Sequence, residues 1–261
     1  MTTHICPNCN NEFSGQFCNN CGQKLAHRIT MGHIGHEIVH AFTHTDKGFF
    51  HVMLQMFRNP GKVTREYIIE NKRKRYFSPF QYLIIIAAVG TFVVAGTHLM
   101  EEMSRAMSGS AASETPQGKM IQQVSAYQAK YFNFQILLQI PFFSFATFLI
   151  YRNHRLNYAE HLTMHCFVTA QTTLVSVALM LFIFILDKSN TTLMRVFFSI
   201  ASAVSLLYQV GIYMLFFREK SFKGFLKALT TYVIGFLFFL ITLLLILMIV
   251  ILFYSLFTGK I

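Results

Sequence analysis

The chain has 261 residues, of which 54% are hydrophobic and only 13% charged, and its mean hydropathy is +0.45. This composition excludes an ordinary soluble domain. The net charge of +11 has no soluble basic face to sit on, so anionic lipid headgroups rather than nucleic acid are its expected counter-charge.

The chain begins with a polar stretch that lacks the apolar core of a secretory signal, so the N-terminus is expected to stay in the cytosol. Within residues 1–26, Cys6-Pro7-Asn8-Cys9 and Cys18-Asn19-Asn20-Cys21-Gly22 form two CxxC knuckles separated by eight residues. A redox dithiol is the rival reading of a single CxxC, but two pairs this close, without a βαβ context, point to a zinc ribbon. Four thiolates close a tetrahedral site, so the expectation is one structural zinc per chain on Cys6, Cys9, Cys18 and Cys21. So short a module cannot bury an adequate core, and metal must supply most of its folding energy. The fifth cysteine, Cys166, lies in an apolar run.

Residues 27–79 read as cytoplasmic juxtamembrane amphipathic helices. Ile34, Ile38, Val39 and Phe42 recur at helical spacing, the apolar character continues over 49–57, and Asn59-Pro60-Gly61 ends it before a second short helix over 62–70. His33, His36, His40 and His44 fall on one helical stripe. Such a stripe suits a second metal or a pH sensor; the alternative is an interfacial helix whose polar face uses His. Lys72, Arg73, Lys74 and Arg75 abut the next apolar run, where basic residues set topology and contact lipid headgroups.

Residues 80–261 form the transmembrane domain. Five apolar runs, at about 80–99, 132–151, 163–186, 196–217 and 229–257, are each long enough to cross a bilayer as a helix. The last exceeds the need and should tilt or extend into the interface. Pro141 lies inside the second run. Basic residues flank the runs at 72–75, at Arg152 and Arg155, and at Arg218, Lys220, Lys223 and Lys227, all on one side. By the positive-inside rule the N-terminus is cytoplasmic, the C-terminus extracytoplasmic, and the polar segment 101–130 an extracytoplasmic loop. The fold class is therefore an all-α membrane protein of about five transmembrane helices, preceded by amphipathic juxtamembrane helices and a small N-terminal zinc ribbon with four cysteine ligands.

Cys21-Gly22-Gln23, Arg28-Ile29-Thr30, Asp46-Lys47-Gly48, Arg58-Asn59-Pro60-Gly61, Arg65-Glu66-Tyr67 and Lys72-Arg73-Lys74-Arg75-Tyr76-Phe77-Ser78-Pro79-Phe80 occur in an order that resembles the bacterial membrane family catalogued as domain of unknown function 3667. Tyr158-Ala159-Glu160-His161-Leu162 resembles a later part of the same pattern. The resemblance implies a zinc ribbon on a helical body in a bacterial inner membrane, and no established reaction.

Glu160, His161 and His165 stand at the cytoplasmic entrance of the third run, the two histidines one turn apart. They are the catalytic candidates, with a structural polar cluster as the alternative. There is no phosphate-binding loop, nucleophile elbow or HExxH motif. The leading functional expectation is a docking, scaffolding or regulatory membrane component with a protein partner at the ribbon. The alternatives are a metal-dependent membrane enzyme built on the Glu/His cluster and a channel or small-solute transporter.

Overall fold

The computed structural model describes residues 3–25, 28–35, 48–98, 115–182 and 190–258. At the N-terminus, β1 (Thr3–Ile5) and β2 (Glu12–Ser14) pair antiparallel, with Thr3 opposite Ser14 and Ile5 opposite Glu12. The two cysteine knuckles have the same backbone design. In each, the fourth residue after the first cysteine is left-handed, Asn10 at φ 59° and Gly22 at φ 70°. Its N–H donates to that cysteine's carbonyl, at 2.9 Å in the first knuckle and 2.8 Å in the second. Asn and Gly are the residue types that adopt this conformation at least cost. Beneath the knuckles only Phe13 is a buried apolar side chain besides cysteine, with Leu25 packed beside it.

Residues 31–35 are helical. The next helices are α1 (Phe49–Arg58) and α2 (Pro60–Ile68), divided at Asn59 because Pro60 cannot continue α1 but suits the first turn of α2. One apolar face of each packs against the membrane helices, while Phe50, Leu54 and Phe57 of α1 stay exposed. Val52, Met56, Val63, Tyr67 and Ile68 join one continuous core with Tyr82, Phe167, Tyr213 and Phe216 of the membrane body. Contact between α2 and the fourth span is so close at Gly61 that a Cβ there would stand 2.5 Å from Leu215 Cβ and 2.9 Å from its carbonyl carbon.

The body comprises α3 (Pro79–Gly96), α4 (Pro116–Lys130), α5 (Phe132–Ile150), α6 (Tyr158–Leu181), α7 (Thr191–Phe217) and α8 (Phe222–Thr258). Among the described residues five helices, α3 and α5 to α8, are long and apolar enough to span a membrane. The protein is an all-α membrane protein. Residues 116–130 are helical, where a loop was expected; the Thr115 hydroxyl accepts from the Gly118 N–H at 3.1 Å and Pro116 occupies the first turn, a strong start signal. Pro141 stays inside α5.

Helix α6 begins five residues before the expected third run, at Tyr158. The reason is a capping box: Asn157 Oδ1 accepts from the Glu160 N–H, and the Glu160 carboxylate accepts from the Asn157 N–H. Similarly, α8 starts at Phe222, where the Ser221 hydroxyl accepts from the Gly224 N–H at 3.1 Å. Helix α6 is the centre of the body, packed against α3, α5 and α7, while α8 lies against α5 and α7. Between membrane helices, apolarity gives little preference for protein over lipid, so close packing at small residues carries the association. Gly90 on α3, facing Phe132 and Thr173, and Gly235 on α8, against Phe143, are such places.

Candidate metal centre and polar clusters

The four cysteine sulfurs of the ribbon lie within 4.8 Å of one another. Cys6 and Cys21 are 3.6 Å apart and Cys9 and Cys18 3.7 Å. A tetrahedral site with metal–sulfur bonds of about 2.3 Å has sulfur–sulfur edges of about 3.8 Å, so the donor set fits one thiophilic ion. Burial pushes the Cys6 thiol up, whereas the Cys21 backbone N–H draws Cys18 down despite its own burial. Asn11 steadies the second knuckle through its Nδ2, which donates to Asn19 Oδ1 at 2.8 Å. Among the described residues no other group of three or more metal-type ligands converges. Four cysteine donors can complete the coordination of such an ion without an open position.

The ribbon is fastened to the body through Gln23 at its end and through side chains that follow it in sequence. Gln23 is buried; its Nε2 donates to the Asn71 carbonyl at 2.8 Å and its Oε1 accepts from the Lys74 N–H at 3.3 Å. Arg28 makes a two-pronged ion pair with Glu160, at 2.7 and 2.8 Å, and also donates to the Arg155 carbonyl. Asn157 Nδ2 donates to the Ile29 carbonyl at 2.9 Å. The Glu160 carboxylate is thus committed to Arg28 and the helix cap, and turned away from the histidines.

His161 and His165 do come together, through Thr147 of α5. The Thr147 oxygen is 3.0 Å from His161 Nδ1 and 3.2 Å from His165 Nε2, and its proton goes to the Ser144 carbonyl at 2.9 Å. If the Thr147 proton stays on the Ser144 carbonyl, both ring nitrogens facing the hydroxyl donate, and His161 Nε2 and His165 Nδ1 carry no proton. Those two atoms are buried without a hydrogen-bond partner among the described residues. Aromatic rings enclose the pair: Phe148 and Phe217 around His161, Phe143 and Tyr213 around His165. Of the other histidine stripe, His33 Nε2 meets Arg73 Nη1 at 3.0 Å and therefore accepts, and the side chain is remote from this pair in partner and element. His36, His40 and His44 lie outside the described residues.

Two members of the basic run before the first span, Lys72 and Arg75, pair with acids of the same segment. Glu66 of α2 is buried, accepts a hydrogen bond from the Tyr76 hydroxyl, and lies 3.7 Å from Lys72, 3.6 Å from Arg75 and 3.9 Å from Lys62. Burial alone raises a carboxyl, but the Tyr76 hydrogen bond and the three cations outweigh it and hold Glu66 below its ordinary value. Lys72 also pairs with Glu70 at 2.8 Å. Nearby, Arg65 Nη1 donates to the Phe216 carbonyl at 2.7 Å, satisfying the end of α7. Sequence reasoning missed Glu66 and the Arg28–Glu160 pair as sites. The usable signal was a few acids set among many bases.

Residues 46–90 match the model of the family described as Protein of unknown function (DUF3667). The matched segment is about one sixth of the chain. That segment holds α1, α2, Glu66, the 72–75 basic run and the first two thirds of α3, so its internal ion pairs belong to the matched region. No curated protein and no solved structure matches the chain.

Proposed function

We propose that this is a multi-pass protein of a bacterial inner membrane, with the ribbon in the cytoplasm and the C-terminus outside, and that its four-cysteine centre holds one structural zinc. Its role is to dock a protein partner on the ribbon and scaffold or regulate a membrane complex. The observation that carries this reading is the ribbon's attachment: Gln23 and Arg28 hold it on the body, while Ile5 and Phe17 remain 68% and 58% exposed on it. A rigidly held module with exposed apolar side chains suits protein recognition. The divergence of Glu160 from His161 and His165 weakens the metal-dependent enzyme reading, because the three do not offer one ion a shared set of donors.

The test is a photo-crosslinking residue placed at Ile5 in intact membranes. A discrete cross-linked protein that disappears in the Cys9→Ser variant supports the reading. Absence of any such product overturns it, as does turnover of a lipid or small metabolite by the purified protein that is abolished by His161→Ala.

A further inference from the structure

Beside the tight crossing of α2 and α7 at Gly61 and Leu215 lies a cavity of about 480 Å³, within the ~300–1,000 Å³ typical of small-ligand sites. Five cations line it: Arg58 at the end of α1, Lys62 and Arg65 of α2, and Arg218 and Lys220 from the turn between α7 and α8. The chain on both sides of every wall is among the described residues. Glu70 is the one acid in the lining, and its carboxylate already lies 2.8 Å from Lys72.

Ordinary roles account for part of this charge. Arg65 Nη1 closes the end of α7 at the Phe216 carbonyl, and Lys62 stands 3.9 Å from Glu66. Arg58, Arg218 and Lys220 are exposed, and none of them makes an ion pair among the described residues. Glu219, between the last two, is committed to Lys227 at 2.6 Å and to His154 at 3.9 Å. Partial burial and the charge of Arg218 hold Arg65 below its ordinary value, against the opposing pull of Glu70, so two guanidiniums stand close enough to repel.

Arg218 is moreover left-handed, at φ 56°. Glycine is the usual residue at such a helix end, and a Cβ there is strained. A cation does complement the C-terminal end of the α7 dipole, but one in the last turn would serve without that strain. Strain retained where glycine would relieve it points to a use for the side chain.

We propose that this cavity binds a phosphate-bearing anion through Arg58, Arg65, Arg218 and Lys220. Guanidinium forks and an ammonium group match the several acceptor oxygens of a phosphate. The first turn of α2 lines the same cavity at Asn59 and Gly61, and its positive dipole end adds to the attraction. Bound there, the anion offsets the repulsion between Arg65 and Arg218 and bridges α1 and α2 to the end of the fourth span.

Two sources present this chemistry, a lipid headgroup and a soluble phosphate, and the test separates them. Purified full-length protein is titrated with inorganic pyrophosphate in neutral detergent. In parallel it is reconstituted in nanodiscs of phosphatidylcholine with or without phosphatidylglycerol. Protection of Lys62 and Lys220 from acetylation is read by mass spectrometry in both, with Lys74, an exposed lysine outside the cavity, as the reference. Saturable protection by pyrophosphate identifies a soluble ligand class, and protection only with phosphatidylglycerol identifies a headgroup; either supports the site. Arg218→Gly should weaken that protection by roughly tenfold in ligand concentration without lowering the melting temperature, since glycine is unstrained at this position. Arg58→Gln, which removes a side chain at the exposed end of α1, should give a loss of similar size by an independent route. The proposal is overturned if neither ligand protects Lys62 and Lys220, if Lys74 is protected as strongly as they are, or if both variants bind as the unaltered chain does. Protection in the unaltered chain is read without depending on the variants folding.

Discussion

Arg28 and Glu160, separated by 132 positions in the chain, form a bidentate ion pair at 2.7 and 2.8 Å that fastens the post-ribbon segment to the first turn of α6. The arginine is more than half exposed, while the carboxylate is almost fully buried. Removing the arginine therefore harms mainly the group it leaves behind. Arg28→Ala should lower stability by about 1–2 kcal/mol, the low end for a charged hydrogen bond because water reaches the guanidinium. Arg28→Ala/Glu160→Gln should be milder than Arg28→Ala alone, since no buried charge is then stranded. Thermal unfolding of the purified protein in detergent checks both.

Metal analysis of the purified chain should find one zinc per polypeptide, lost in Cys9→Ser. Because Phe13 is almost the whole apolar interior of the ribbon, chelation should expose residues 3–25 to protease while the helical signal of the body persists. Retention of a protease-resistant ribbon without metal would refute this.

Gly61→Val should destabilise the packing of α2 on α7. A Cβ there meets both side-chain and backbone atoms of Leu215, and backbone cannot swing aside as a flexible side chain can. The expected loss is about 1–3 kcal/mol, with release of Arg65 from the Phe216 carbonyl. Gly96→Ala, where a Cβ meets nothing within 4 Å, serves as the control and should be neutral or slightly stabilising.

Acid should loosen the contact between α2 and the basic turn. Glu66 is held below its ordinary value of 4.5 in the folded protein, so it binds a proton more readily when unfolded. Its stabilising contribution is complete above that value and is lost as pH falls through it towards the lower folded pKa. Glu66→Gln should flatten this acid-side decline in melting temperature while lowering stability at neutral pH. A decline of unchanged steepness in the variant would assign it to other groups.

The nitrogens of the α6 histidines that face Thr147 should both be protonated, His161 at Nδ1 and His165 at Nε2, giving opposite tautomers on adjacent turns. Nitrogen NMR of selectively labelled protein distinguishes them, and Thr147→Val should abolish the difference in their hydrogen bonding. Identical tautomers in the unaltered chain would show that the Thr147 proton does not go to Ser144.

What the amino-acid order determines by itself here is whatever a single stretch of chain can enforce. An uncharged run such as 229–257 is costly anywhere but in lipid, and lipid demands that its backbone bond internally, so helices follow from length and composition. The ribbon is similar: CxxC spacing aims two sulfurs at one point, and Asn10 and Gly22 suit the left-handed turns that close the knuckles. Helix starts were less visible, because the Asn157–Glu160 cap adds a turn whose Glu160 and His161 interrupt the apolar run. The tertiary structure alone decided how charges are shared. Glu66, Glu160 and the 72–75 bases are plain in the sequence, but attraction between ions acts through space, and their partners became neighbours only when α2 and the post-ribbon segment packed onto the membrane helices. Helix geometry already points Glu160 and His161 in different directions, and the packing gives each its partner, joining Arg28 to Glu160 across half the protein.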